Sequence, residues 1–372
     1  MDSDSPQRIA KLTPLADVLA RIDATVNPVA PTEVAAAAAA GLVLAADVTI
    51  AMHPRVPLAL RDGWAVSADL TTDASSYAPV PLPAAARIEV GQPMPVGADA
   101  VAPTDVVVRR HGQVEIIAPV GAGEGVLAAG ADGDGRTLLA QAGWRLTLVQ
   151  AAVLAAGAKR VQVREPTVRL ARARTAGDRV IDAATDLIAG TVSAFGARVL
   201  QAAETSDRSL EHACDDDTAD AIVAIGGTGS GRNDTSVVAL ARRGRVEAHG
   251  IALAPGETAA FGLVDSRPVL LLPGRLDAAL AVWLLIGRHL LARLTGCNEP
   301  EPTIKASLAR KIASPLGLVE MVPVRVRAGS AEPIGSGYVP LSALAQANGW
   351  VSVPAESEGY PPGAEVVIRP WL

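Results

Sequence analysis

The chain has 372 residues, of which 49% are hydrophobic and 19% charged, with a net charge of −6 at pH 7. That balance describes a globular protein, too long for one ordinary domain at roughly 150 residues each, and it excludes wholesale disorder. Gly 34 and Pro 27, spread along the whole length, exclude a long helical bundle, and the acidic total without a basic stripe excludes a nucleic-acid footprint. The start, MDSDSPQRIAK, is acidic where a secretory signal would be basic, and the longest bland run, Val34–Ala46, is too short to span a bilayer. A cytoplasmic location is therefore expected. Cys214 and Cys297 stand in no CxxC pattern, which argues against a disulfide framework or a Cys-rich zinc site.

Residues 1–47 are read as helical. Thr13 is placed as the cap and Pro14 at the first helical position; Leu15, Val18, Leu19 and Ile22 recur at helical spacing, and Ala35–Ala40 favours helix by propensity. Residues 48–139 change character, with short apolar runs such as Ala100–Val108 and Val114–Pro119 between prolines and glycines, and Gly121–Gly135 reads as loop. Leu148–Ala156 is predicted as a helix with Thr147 and Gln150 as a capping box and Gly157 past its end; Lys159–Val163 follows as a strand. The expectation is one helical domain, 1–47 with 140–164, interrupted by a β-rich insert, 48–139.

Residues 165–300 alternate. Val168–Ala171, Arg198–Gln201, Ala221–Ile225 and Val269–Leu272 read as buried strands, and Asp186–Phe195, Thr235–Arg243 and Leu276–Leu294 as helices. The last of these is apolar on nearly every face, and so is central in its domain or buried in a subunit contact. Residues 301–372 are short β runs split by Pro and Gly, a small terminal β domain.

The clearest site candidate is Ile225-Gly226-Gly227-Thr228-Gly229-Ser230-Gly231-Arg232-Asn233-Asp234, between a strand and a helix. Glycines let a backbone approach a ligand, and N–H groups at such a turn favour an anion, but the run has neither Rossmann spacing nor a Walker lysine. It is either an anion loop or a plain turn; Arg232 suits a phosphate, while Asp234 suits a metal or a helix cap. Ala254-Pro255-Gly256-Glu257 and Leu272-Pro273-Gly274-Arg275 lie at other strand ends, where open α/β sheets bind ligands, or are ordinary turns. Arg61-Asp62-Gly63-Trp64 and Gly91–Asp99 are turns of the insert. The histidines His53, His111, His212, His249 and His289 have no ligand spacing, and Asp215-Asp216-Asp217 reads as a solvated loop.

In this order the pieces resemble the MoeA family, the molybdopterin molybdenumtransferases that include the E domain of gephyrin. The carrying stretches are Asp62-Gly63-Trp64-Ala65-Val66, GQPMPVGADAV (91–101), Gly130-Ala131-Asp132 with LLAQAGWRLT (138–147), Gly226-Gly227-Thr228, Phe261-Gly262, Leu272-Pro273-Gly274 and LSALAQANG (341–349). The resemblance implies a multidomain α/β plus β subunit of four parts: interrupted helical domain, β-rich insert, molybdopterin-binding-like α/β domain and C-terminal β-barrel-like domain. It implies a homodimer whose pocket lies between the α/β part of one subunit and the insert of the other. The implied reaction inserts molybdate into adenylylated molybdopterin with release of AMP, with Mg2+ or another divalent cation. The implied partners are a molybdopterin adenylyltransferase or a target molybdoenzyme. Carried onto this sequence, Asp62 and Asp234 are the catalytic, metal-side carboxylates. Gly226, Gly227, Thr228, Gly229, Ser230, Arg232, Pro273, Gly274, Arg275, Arg179, Asp132 and Ser336 are the expected cofactor-binding residues.

Several pocket positions depart from the family pattern. After Gly177-Asp178 stands Arg179 in place of Glu; a Ser-Asn pair near Asp182 is Ala183-Ala184; Lys-Pro-Gly-Lys is Ala254-Pro255-Gly256-Glu257; Pro-Gly-Asn-Pro is Pro273-Gly274-Arg275-Leu276. Asp-Asn-Ser ahead of Asp62 is Pro57-Leu58-Ala59, and basic residues before Gly130 are Leu127, Ala128 and Ala129. Losing two lysines and gaining Glu257 weakens a polyanion site; Arg179, Arg232 and Arg275 are expected to rebuild the positive field, or else are surface residues of a decayed pocket. The alternative function is a non-catalytic cofactor-binding paralogue that assists maturation of a molybdoenzyme.

Overall fold

Four runs rich in Val, Ile and Leu form the parallel core of one sheet in a computed structural model that describes residues 7–82, 86–110, 112–157, 160–172, 178–200, 210–215, 217–232 and 234–371. The predicted strand ends Lys159 and Gln201, and the residues His111, Gly177, Asp216 and Asn233, lie outside the described residues. The chain divides into two compact units, Asp47–Gln141 and Met1–Ala46 with Ala142–Leu372.

The insert unit is built from short strands, as its Pro- and Gly-rich sequence predicts. Gly63–Val66 is flanked antiparallel by Ala86–Ile88 and Ala100–Ala102. A side chain at Gly63 would meet the Ala102 carbonyl at 2.2 Å, so glycine permits that approach. Val107–Arg110 pairs with Gln113–Ile116, and Val66, Ala100, Ala102, Ile116 and Val120 close the core. The Gly121–Gly135 stretch is not all loop: Val126–Leu127 pairs with Leu58–Ala59.

In the other unit, helix α1 (Leu15–Thr25) buries Leu15, Val18 and Ile22 at the predicted spacing. Thr13 does not cap it. Thr13–Pro14 instead pairs in parallel with Ile251–Ala252, a tertiary ladder that outweighs a local cap. The reading of 1–47 as wholly helical is also corrected at Ala35–Ala40. Thr32–Ala35 is a strand paired with Arg160–Val163, and only one 3-10 turn, Ala36–Ala38, follows. Alanine's helix preference is worth only a few tenths of a kcal/mol per residue over ordinary residues, and a strand ladder overrides it. Helix α2 (Leu148–Ala156) carries the predicted capping box, with the Gln150 N–H donating to Thr147 Oγ1.

The six-stranded sheet runs in the order Arg198–Leu200, Thr167–Arg172, Ala221–Ile225, Arg267–Leu272, Ala260–Val264, Arg245–His249. The first four strands are parallel and the last two antiparallel. Helices α3 (Arg179–Ala194), α4 (Leu210–Asp215) and α5 (Ser236–Arg243) belong to this layer. α3 starts seven residues earlier than the sequence pattern predicts because Asp178 caps it through the Val180 and Ile181 N–H groups. Asp215 is exposed, as expected, but helical and not in a loop: it ends α4 and accepts from Nη1 and Nη2 of Arg243 at 2.6 and 3.1 Å.

Leu276–Thr295 is one continuous helical rod: α6 (Leu276–Val282), a π-helical turn at Trp283–Gly287, and α7 (Arg288–Thr295). It is long and apolar enough to cross a membrane, yet 72% of its apolar stretch is buried inside the fold, which makes it the core helix. Trp283, fully buried, packs with Ile22, Phe261, Leu270 and Ile286; burying each such side chain stabilises the fold by roughly 1.5–3 kcal/mol. The C-terminal part closes into a barrel: Val319–Arg327, Ser330–Pro333, Ile304–Leu308, Glu365–Pro370 and Gly349–Val353 pair in turn, and the last returns to the first. Helix α8 (Leu341–Gln346) lies beside it, and Leu280 and Leu284 of the core helix pack on Met321 and Trp350 of the barrel.

Candidate functional site

The strand Thr167–Arg172 has its chain successors on opposite sides: Arg198–Leu200 on one, Ala221–Ile225 on the other. Such a reversal opens a crevice at the carboxyl ends of the strands, where α/β sheets bind ligands. Gly226 lies there, directly after Ala221–Ile225, and its N–H donates to Leu272 O of the neighbouring strand. Gly226 and Gly227 have φ of 92° and 68°, a left-handed turn that glycine makes without strain. Pro273 and Gly274 follow the neighbouring strand, and the open side of Gly274 faces Gly226 Cα and Ile181 of α3, each 3.6 Å from where a side chain would begin. Gly226, Gly227, Thr228, Pro273 and Gly274 are thus brought together with the first turn of α3, on which Arg179 is exposed.

The loop's polar groups are held from outside it. Gln7, 3% exposed, donates from Nε2 to the carbonyls of Gly227 (3.1 Å) and Gly229 (2.8 Å), while its Oε1 accepts from the N–H groups of Val237 (2.8 Å) and Val238 (3.2 Å). Gln7 therefore caps α5 from a distance of 230 positions in sequence, in place of Thr235, whose side chain makes no capping bond. Thr228 is buried; its hydroxyl pairs with Thr258 at 2.9 Å and its carbonyl with His249 Nε2 at 3.1 Å. Gln7, Thr258 and His249 had no local sequence signal, since each acts through the tertiary fold. Among the described residues, no group accepts from the N–H of Gly227, Thr228 or Gly229. Three consecutive N–H donors are thus left open to an acceptor, as an anion loop requires.

Ser230 and Arg232 are on the exposed part of the loop, and both have interaction partners. Asp234 neither caps α5 nor stands clear of the loop. Its Oδ2 accepts from Gly231 N–H at 2.9 Å, and a side chain at Gly229 or Gly231 would meet that oxygen at 2.7 or 2.9 Å. The glycines are needed to seat this carboxylate.

Arg275 reaches back to Asp277, through Nε at 3.0 Å and Nη2 at 2.5 Å, and its guanidinium lies 4.9 Å from the Tyr338 ring centroid. Asp277 is 3% exposed and also accepts the Val339 N–H at 3.0 Å, so it ties the strand-end loop to the barrel. Asp277, and then the charge of Glu257, hold the Arg275 guanidinium above its ordinary pKa. Ser336, on the same barrel loop as Tyr338, donates to Glu320 Oε1 at 2.7 Å, and Gly337 N–H donates to the same oxygen at 2.8 Å. Asp182 pairs with Arg172 in place of the polar neighbours that the family pattern has there.

Asp62 and Asp132 belong to the insert unit. Asp62 is exposed and its Oδ1 accepts the Val90 N–H at 2.8 Å. Asp132 pairs with His53 twice: its Oδ2 lies 3.0 Å from Nδ1, and its N–H donates to the His53 carbonyl at 3.0 Å. Among the described residues, no group of three or more His, Cys, Asp or Glu side chains forms a metal site. Within its own unit, each of Asp62 and Asp234 accepts a backbone N–H of a turn with one carboxylate oxygen, Oδ1 of Asp62 and Oδ2 of Asp234.

The chain matches the MoeA N-terminal region (domain I and II) at residues 13–158, a probable molybdopterin binding domain at 152–293, and the MoeA C-terminal region (domain IV) at 305–371. A putative molybdopterin biosynthesis protein of Methanocaldococcus jannaschii is 32% identical over 153 residues; the match covers 40% of this chain and 36% of that relative's length. Two solved structures of molybdopterin biosynthesis MoeA protein from Pyrococcus horikoshii share its fold. One has a TM-score of 0.74 at 26% identity, covering 97% of this chain and 99% of that one; the other has 0.70 at 25%, covering 97% and 100%. A molybdenum cofactor biosynthesis protein of Pyrococcus furiosus, at 19% identity and TM-score 0.61, shares the fold alone. The matched regions follow one another along the chain with the predicted architecture, and the chain belongs to the MoeA family of molybdopterin biosynthesis proteins.

Proposed function

We propose that this protein acts in molybdenum cofactor biosynthesis as a molybdenumtransferase, taking adenylylated molybdopterin and molybdate and releasing AMP. The observation that carries this reading is the run of three backbone donors, Gly227, Thr228 and Gly229, at the sheet's reversal point. Backbone N–H groups fixed by Gln7, Thr258 and His249 need no reorganisation to receive phosphate oxygens. They would hold the phosphate end of the pterin while the link to AMP breaks. A divalent cation would arrive with the substrate's pyrophosphate, since among the described residues no group of three or more His, Cys, Asp or Glu side chains forms a cage for one. Asp62 and Asp234 would each face it with the carboxylate oxygen that its turn leaves over. The same reading carries a cytoplasmic homodimer that receives substrate from an adenylyltransferase or delivers product to a molybdoenzyme.

One observation favours the second reading, a cofactor-binding paralogue without insertion chemistry. Of the three arginines expected to replace the family's lysines, Arg275 is already committed to Asp277 and sits beside Glu257. Complementation of a strain that lacks the transferase separates the two readings: growth by molybdenum-dependent respiration supports the enzyme, and none with soluble protein supports the binder. The triple variant Arg179→Gln, Arg232→Gln, Arg275→Gln abolishes pterin-phosphate binding if these arginines supply the field; unchanged affinity places the whole burden on the backbone donors.

A further inference from the structure

A charged cavity lies at the opposite edge of the same sheet. Helices that follow parallel strands run back antiparallel to them, so the C-terminal ends of α3 and α7 lie at the strands' amino edge. There a cavity of about 260 Å³ is lined by Arg145, Phe195 and Arg288, with Thr295, Glu299 and Glu301 around it. Phe195 ends α3, Arg288 begins α7, and Arg145 precedes α2. Both guanidinium groups stack on the one ring, each 4.6 Å from its centroid. The Arg145 and Arg288 Nε atoms are buried and make no hydrogen bond.

The ion pairing around this cavity is incomplete. Glu301 serves two cations, Arg288 at 3.0 Å and Arg369 at 3.3 Å. Among the described residues, Glu299 accepts the backbone N–H of Arg145, at 3.4 Å, and forms no ion pair. Among the described residues no carboxylate forms an ion pair with the Arg145 side chain; the lining carries two guanidinium groups and two carboxylates, and Glu301 is shared with Arg369 outside it. Arg288, 11% exposed, is pushed below the usual arginine pKa, first by burial and then by Arg145 and Arg369. Aromatic stacking offsets part of this repulsion, but it satisfies no N–H donor.

We propose that this cavity binds a small tetrahedral oxyanion of the phosphate class, with Arg145 and Arg288 as its ligands. Planar guanidinium forks suit that geometry, and the volume accommodates the ion with water. The site also joins three parts of the chain. Gly143–Arg145 comes from the segment before α2, Phe195 and Arg288 from the α/β layer, and Cys297–Pro302 from the segment entering the barrel, where Asn298 N–H donates to the Gly143 carbonyl at 2.9 Å. An anion here would stabilise the junction.

The test is thermal denaturation and calorimetric titration of the full chain with inorganic phosphate, against chloride at equal ionic strength. The expected result is saturable stabilisation by phosphate, with affinity reduced about tenfold or more in Arg145→Gln by loss of a charge-assisted contact. Arg145 is half-buried, so this variant is expected to fold; Arg145→Lys, which keeps the charge without the fork, should recover part of the binding. Arg160→Gln, an exposed arginine outside both sites, should leave the phosphate response intact, and Arg275→Gln reports separately on the carboxyl edge. Stabilisation by ribose 5-phosphate as well as phosphate identifies an esterified phosphoryl ligand, and stabilisation by phosphate alone a free oxyanion. No phosphate effect beyond chloride, an unchanged effect in Arg145→Gln, or loss of the effect only in Arg275→Gln overturns the proposal.

Discussion

Asp277 holds Arg275 through both carboxylate oxygens from a position two residues along, and does so from a buried site that also receives the Val339 N–H. Arg275, which the sequence places among the phosphate ligands, is thereby also tied through Asp277 to the barrel loop. Replacing Asp277 by Asn leaves Arg275 without its counter-charge. The expected cost is about 2–3 kcal/mol, at the low end for a broken pair because the Arg275 side remains in solvent. Urea denaturation of the variant checks it.

Gln7 has a comparable role at the glycine loop. Gln7→Leu keeps the volume but orphans two carbonyls and two N–H groups in a buried place. A loss of about 1–3 kcal/mol is expected, the range for a lost cap or buried partner. Hydrogen exchange localises it: the Val237 and Val238 amides should lose protection before the rest of the sheet. If protection falls uniformly instead, Gln7 is not the cap of α5.

Gly287 faces Trp283, and a side chain there would begin 2.1 Å from the indole ring. Gly287→Ala therefore forces the buried Trp283 to shift, an overpacking cost of about 1–3 kcal/mol despite alanine's better helix propensity. The midpoint in denaturant should fall; a rise would show that the π-turn is relaxed by the substitution.

Burial pushes the Cys214 thiol up to about 11, the charges of Arg267 and Arg243 opposing it only in part. Cys214 should therefore resist alkylation of the native protein at pH 8, while the partly exposed Cys297 reacts; peptide mass spectrometry reads both. The linkage has one sign. As pH rises past the ordinary thiol value of 9.0 the unfolded chain ionises at Cys214 before the folded one, so this group's contribution to stability is lost between about 9 and 11.

The sequence by itself determined the elements whose periodicity or capping is local. The buried strands around Val168, Ala221 and Val269, the Thr147–Gln150 capping box, and the continuous apolar helix from Leu276 are where the residue pattern puts them. It also marked the glycine loop, because only glycine takes the backbone of Gly226 and Gly227 without strain. It could not determine features that depend on distant partners. Ala35 is in a strand because Arg160 lies beside it, and Thr13 abandons its cap because Ile251 offers a ladder. The same holds at the site: which donors stay open, which carboxylate folds into the loop, and which arginine is already paired were decided by Gln7, Gly231 and Asp277. A side chain's type fixes what it can bond to; only the tertiary structure decides which partner reaches it first.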